Sequence, residues 1–178
     1  MILRVINSVK KSKEITKIII ATSKNKSDDD LVNLLEKSNT IVFRGELSNV
    51  AKRLHDAAVK YKAKNFIRIS GDSPIIDFKI IDKAIKLSKK NTKLDIITNV
   101  FPRTFPSGQS VEVIKTKILE ENLLNMTPLE KEHVTKYFYS NSKDFLIKNF
   151  KQNNINKNEK HSVDSKKDIK IIMKILNK

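Results

Sequence analysis

The order in which hydrophobic patterns follow one another confines this chain to few folds. Four times in the first hundred residues a helical pattern gives way to a β-branched or apolar run. From Ile2 to Lys13 the residues Ile2, Leu3, Val5, Ile6 and Val9 fall at helical spacing, and lysines gather at the end, where they suit the helix dipole. Thr16-Lys17-Ile18-Ile19-Ile20-Ala21-Thr22, within Ile15 to Thr22, predicts a strand buried on both faces. A helix over about Asp28 to Lys37 and a strand at Thr40 to Phe43 come next. Asp28, Asp29 and Asp30 are three adjacent carboxylates able to bind a cation, but a helix N-terminus accounts for them more simply. Ser48 is placed to cap a helix from about Asn49 to Lys62, with Leu54, Ala57, Ala58 and Tyr61 facing inward. The strand at Phe66 to Ser70, a helix from about Asp77 carrying Ile80, Ile81, Ala84, Ile85 and Leu87, and a strand at Leu94 to Asn99 complete the series. This alternation predicts an α/β fold with a mostly parallel sheet covered by helices.

After Asn99 the character changes. The stretch Val100-Phe101-Pro102-Arg103-Thr104-Phe105-Pro106-Ser107-Gly108-Gln109-Ser110 holds two prolines, a glycine and an arginine, and reads as a pocket-lining loop. Val111 to Ile114 predicts a strand, and Thr116 caps a helix through Leu124. Thr127-Pro128-Leu129-Glu130 is a strong helix start, with proline at the first position and a capping box; that helix carries Glu132 and His133 and ends near Tyr139-Ser140-Asn141. Phe145 to Phe150 predicts a strand and Lys151 to Lys160 a loop. Ser165 and Asp168 form a box-like cap on a last helix, Lys166 to Leu176, whose predicted buried stripe is Ile169, Ile172, Met173 and Leu176.

The 178 residues, 39% of them hydrophobic, suit one domain spanning 1–178. The chain has no cysteine, which excludes disulfides and thiolate metal sites and suits a reducing cytoplasm. It has no apolar run long enough to span a membrane. A net charge of +16 raises the possibility of nucleic-acid binding. Against it, only Arg4, Arg44, Arg53, Arg68 and Arg103 among the 36 basic residues are arginine, the residue that recognises phosphates and bases in bidentate fashion. The lysines are scattered over every predicted helix.

The sequence contains no P-loop, dinucleotide fingerprint, nucleophile elbow or zinc spacing, and its three histidines are His55, His133 and His161. Asp72 follows Gly71 and precedes Ser73-Pro74, so it stands at the carboxyl end of a predicted buried strand, where open α/β sheets bind ligands. It is a candidate metal or phosphate-site residue; equally, Asp in a turn can serve only to close it. Asp164 is a second strand-end carboxylate far away in sequence. Magnesium suits such a pair, because it takes one or two carboxylates and lets substrate phosphates complete its octahedron.

Several motifs occur together: Phe43-Arg44-Gly45, Arg68-Ile69-Ser70-Gly71-Asp72-Ser73-Pro74-Ile75-Ile76-Asp77, Pro102-Arg103-Thr104-Phe105-Pro106, Val111-Glu112-Val113, Glu132-His133-Val134-Thr135 and Ser162-Val163-Asp164-Ser165. In order and spacing this set resembles the spore coat polysaccharide biosynthesis protein F group of the cytidylyltransferase family, with the CMP-sialic acid and CMP-ketodeoxyoctonate synthetases as relatives. The resemblance implies a three-layer α/β fold of nucleotide-diphospho-sugar transferase type. It also implies transfer of CMP from CTP to an acidic or modified sugar for surface polysaccharide, with release of pyrophosphate, and relatives often form homodimers; the cytoplasmic expectation rests on the missing cysteines and membrane span. It implies that Asp72 and Asp164 hold Mg²⁺ on the nucleotide, and that Arg68, Arg103 and His133 are pocket residues. Members of the family open with a strand and a phosphate-gripping loop, Ala-Arg-x-x-Ser-x-Arg-Leu-Pro-Gly-Lys, and Ile2 to Lys13 contains no equivalent. The expectation is therefore an N-terminally truncated domain without its first strand, in which the strands Thr16 to Thr22 and Phe66 to Ser70 either pair directly or leave a gap. Ser107 and Ser110 stand where aspartates are usual, and Lys166 where a proline is usual. Two other functions are consistent with the sequence: a non-catalytic relative that binds a sugar, nucleotide or partner, and a lysine-rich nucleic-acid binder.

Overall fold

A computed structural model describes residues 1–153 and 159–176; residues 154–158, within the predicted loop Lys151 to Lys160, lie outside the described residues. In chain order the elements are α1 (Ile2–Val9), β1 (Ile19–Ser23), α2 (Asp29–Lys37), β2 (Ile41–Gly45), α3 (Val50–Lys60), β3 (Asn65–Arg68), α4 (Phe78–Lys90), β4 (Ile96–Thr98), β5 (Glu112–Lys115), α5 (Thr116–Asn122), α6 (Pro128–Glu132), α7 (Thr135–Ser140), β6 (Ile147–Asn149) and α8 (Lys166–Leu176). They form two compact units. One comprises Met1–Thr16, Ile67–Val113 and Ile147–Lys178, and the other Lys17–Phe66 and Ile114–Leu146.

In the second unit β1 and β2 pair in parallel, Ile19 opposite Ile41 and Ser23 opposite Gly45, as a sheet of two strands. Burial of β1 on both faces is not observed: only Thr22 and Ser23 are buried, because a strand in so small a sheet stays open to solvent. Asp28 turns back onto β1. Its carboxylate accepts from the Thr22 and Ser23 hydroxyls and the Ser23 N–H, and these bonds, the Ser23 hydroxyl foremost, hold it below the usual carboxylate range. The cap of α3 is Asn49, whose side chain accepts from the Lys52 N–H at 3.0 Å, and not Ser48. Thr116 likewise caps nothing; its hydroxyl donates to the Ala63 carbonyl at 2.5 Å.

The helix predicted from Pro128 to about Asn141 is two helices. The capping box at Thr127 and Glu130 forms as expected, but α6 ends at His133, where ψ is 64°. The chain restarts as α7 and buries Val134 and Phe138 completely. Burying those two side chains at about 1.5–3 kcal/mol each outweighs the few backbone bonds lost at the break.

The other sheet has the strand order β3-β5-β4-β6. β4 and β6 are parallel, Ile96 opposite Ile147 and Thr98 opposite Asn149. β5 runs against β3: the Thr116 N–H bonds the Lys64 carbonyl, and Glu112 lies beside Arg68 four residues further along. Among the described residues β1 pairs with β2 and β3 with β5, so the direct pairing of β1 with β3 does not occur. In the first unit α1 packs on α4, burying Val5, Ile6 and Val9 along with Ile81, Ala84 and Ile85. The Ser12 hydroxyl donates to Asp82 across that contact. The stripe predicted on α8 is mostly open: Ile172 is buried, but Ile169 is 48% and Met173 45% exposed.

Candidate functional site

The residues around Asp72 and Asp164 all belong to the first unit. β3 ends at Arg68, and Gly71 and Pro74 turn the chain toward α4. Asp77 caps that helix, its side chain accepting from the Lys79 N–H at 2.9 Å. With that role filled by Asp77, the helix entrance does not require Asp72. The carboxylate of Asp72 accepts from the buried Ser73 hydroxyl at 2.9 Å through Oδ1, while Oδ2 has no partner among the described residues. The Val163 N–H donates to the Asp72 carbonyl at 2.9 Å. That bond joins two segments some ninety positions apart and seats Asp164 one residue from the Asp72 turn.

Gln109 holds this arrangement in place. It is 5% exposed. Its amide oxygen accepts from the Asp77 N–H at 2.9 Å, so its amide nitrogen is left to donate to the Ile75 carbonyl at 2.8 Å and to His161 Nδ1 at 3.0 Å. His161 therefore accepts at Nδ1 and carries its ring proton on Nε2, which faces Glu159 Oε2 at 3.2 Å. Gln109 is itself tethered, because the fully buried Asn99 donates to its carbonyl at 2.7 Å and accepts from the Val111 N–H at 2.9 Å. Beside it the His161 N–H donates to the Ser107 carbonyl at 2.9 Å. Gly108 permits that approach: its φ is +80°, and an added Cβ would lie 2.3 Å from the His161 carbonyl carbon.

Arg68 donates through Nη1 to Glu112 at 2.7 Å; Glu112 is buried and Arg68 partly exposed. Arg103 is exposed and bonds the Ser110 hydroxyl at 3.1 Å, next to the cis Phe101–Pro102 bond. His133 is exposed at the end of α6, in the other unit. Gln109, Asn99 and His161 carry no signal in the sequence as site residues beyond their nearness to the quoted motifs, and Glu112, though inside one of them, shows its partner only in the fold, because each acts through a contact that only the fold creates.

Asp164 is mostly exposed, and its carboxylate pairs with Lys160 Nζ at 2.8 Å. The same ammonium donates to Asp168 Oδ2 at 2.9 Å. That oxygen also accepts from the N–H groups of Asp164 and Ser165 and from the Ser165 hydroxyl. The Lys160 bond, followed by those from Ser165 and the Asp164 N–H, lowers the Asp168 pKa to about 2. Its bonds to Asp164 and Asp168 in turn raise the pKa of Lys160. Among the described residues no three His, Cys, Asp or Glu side chains gather as a metal cage. Two oxygen donors, one with a free Oδ2, do fit magnesium, which needs no more from protein when water and phosphate supply the rest.

Asp164 stands just before α8 and at the end of no strand among the described residues, unlike the strand-end position expected for it. Parallel strand pairs and covering helices make this an α/β protein of the nucleotide-diphospho-sugar transferase type, and known structures agree. A cytidylyltransferase from Leptospira borgpetersenii serovar Hardjo-bovis superposes with a TM-score of 0.94 at 27% identity, over all of this chain and 76% of that one. CMP:2-keto-3-deoxy-manno-octonic acid synthetase, solved with CTP, shares the fold with a TM-score of 0.73 at 11% identity, over 99% of this chain and 87% of that one. The chain belongs to the cytidylyltransferase family, whose profile matches residues 1–174. The spore coat polysaccharide biosynthesis protein SpsF of Bacillus subtilis is 30% identical over 138 residues, which are 75% of this chain and 55% of that protein.

Proposed function

We propose that this protein transfers CMP from CTP to an acidic or modified sugar, releasing pyrophosphate, with magnesium held by Asp72 and Asp164. The observation that carries the reading is the Val163-to-Asp72 hydrogen bond, which brings the two carboxylate-bearing segments side by side. When bound, the cation would offset the phosphate charge that builds up on the leaving pyrophosphate. The chain's own groups supply orientation. Gln109 fixes the turn after Asp72 against the segment before Asp164. Arg68, its charge already balanced by Glu112, can present its remaining N–H groups to a phosphate or sugar carboxylate without a large electrostatic cost of its own. Arg103 offers a second cation from the loop. The relatives support the substrate classes: one acts in spore coat polysaccharide biosynthesis and one was solved with CTP.

Pyrophosphate release measured with CTP and Mg²⁺ over a panel of acidic sugars tests the proposal. Release that requires both CTP and one sugar supports it. CTP binding without release for any sugar would make the protein a nucleotide binder, and heparin retention at high salt without CTP binding would overturn the reading in favour of nucleic acid.

A further inference from the structure

Lys160 occupies Asp164 in an unusual way. Its ammonium bridges two carboxylates that differ in character: Asp168 is 9% exposed in its side chain, while Asp164 is 60% exposed. Asp168 has three other donors on the same oxygen, whereas among the described residues the Asp164 carboxylate pairs with Lys160 alone. The Lys160 backbone is fixed as well, by a bridge to Ser107 and by the neighbouring His161-to-Ser107 bond. The ammonium is thus anchored on the Asp168 side and exchangeable on the Asp164 side. It can give up Asp164 without leaving a buried charge unpaired.

Building on the magnesium reading above, we infer that Lys160 is a resident counter-ion for Asp164 that competes with the divalent cation for that carboxylate. The cation gains Asp164 only by displacing the ammonium, so the protein alone binds the cation more weakly than the carboxylates would allow. An exposed pair of this kind costs little to break, and its removal should strengthen cation binding about two- to fivefold.

Mn²⁺ serves as the probe, with free Mn²⁺ followed by electron paramagnetic resonance on the full chain in the absence of nucleotide. Lys160→Met is expected to raise Mn²⁺ affinity by that factor, and Lys160→Arg to leave it near the starting value. Lys160→Gln, which keeps a donor toward Asp168, is the second variant should Lys160→Met fail to fold in urea titrations. Asp164→Asn should weaken binding and cancel the gain from Lys160→Met in the double variant. If Asp164→Asn weakens binding but neither neutral variant strengthens it, the counter-ion role is wrong and the metal reading stands. If Asp164→Asn leaves Mn²⁺ affinity unchanged, both fail.

Discussion

Gly108 and Asp168 are two positions at which a single residue bears directly on the geometry of the candidate site. Gly108 combines a left-handed φ of +80° with backbone contact to His161 and Ser162 that leaves no space for a Cβ. Gly108→Ala should therefore cost more than about 2 kcal/mol, read as a lowered urea midpoint with an unchanged slope. Asp168 makes a pH-dependent contribution. Its folded pKa of about 2 lies below the ordinary value of 3.8, so its stabilisation is fully present above about pH 4 and is lost as pH falls toward 2. Unfolding curves of the wild type and Asp168→Asn should be well separated at pH 6 and converge between pH 4 and 2. The Asp168 cap was legible because it depends on residues three apart. The Gln109 ties were not, since nothing local relates Gln109 to Ile75, Asp77 and His161. Lys160 stands four residues before Asp164 in a stretch that reads only as polar loop, so its bridge also needed the fold to be seen.

The elements themselves followed the patterns where the force that shapes them is local. Capping at Thr127, Asp77 and Ser165 agrees with the sequence, as does the alternation of helix and strand. Patterns failed where packing decided. α6 and α7 are separate because Val134 and Phe138 must both be buried, and α8 keeps most of its apolar stripe exposed because the described residues of its unit cover Ile172 alone. Phe138 anchors the α7 region, edge-on to Tyr137 and to Phe145 at centroid distances of 5.5 and 5.0 Å. Phe138→Ala should destabilise the protein by about 3–5 kcal/mol, and calorimetric unfolding would show it as a lowered Tm; a loss under 1 kcal/mol would mean the aromatic cluster is loosely packed.

On the scale of the whole molecule, the +16 charge is carried almost wholly by lysine, and four of the five arginines are engaged within the chain. Arg44 bonds the Ser23 and Asn25 carbonyls and pairs with Asp29. Arg53 bonds the Glu46 carbonyl, Arg68 holds Glu112, and Arg103 holds Ser110. The fold ties these guanidinium groups to its own carbonyls, carboxylates and hydroxyls, which weighs against a surface built to read nucleic acid. The cytidylyltransferase reading was legible in the sequence through ordered motifs, and the bond between Val163 and Asp72 adds the juxtaposition that separate motifs could not supply. No helix among the described residues is long and apolar enough to cross a membrane. Asp72 and Asp164 are proposed to act together on a metal-bound nucleotide. Calorimetric titration of CTP into the protein, with and without Mg²⁺, is the decisive experiment. Mg²⁺-dependent binding in the wild type that disappears in both Asp72→Asn and Asp164→Asn is expected, and undiminished binding in either variant would overturn the proposal.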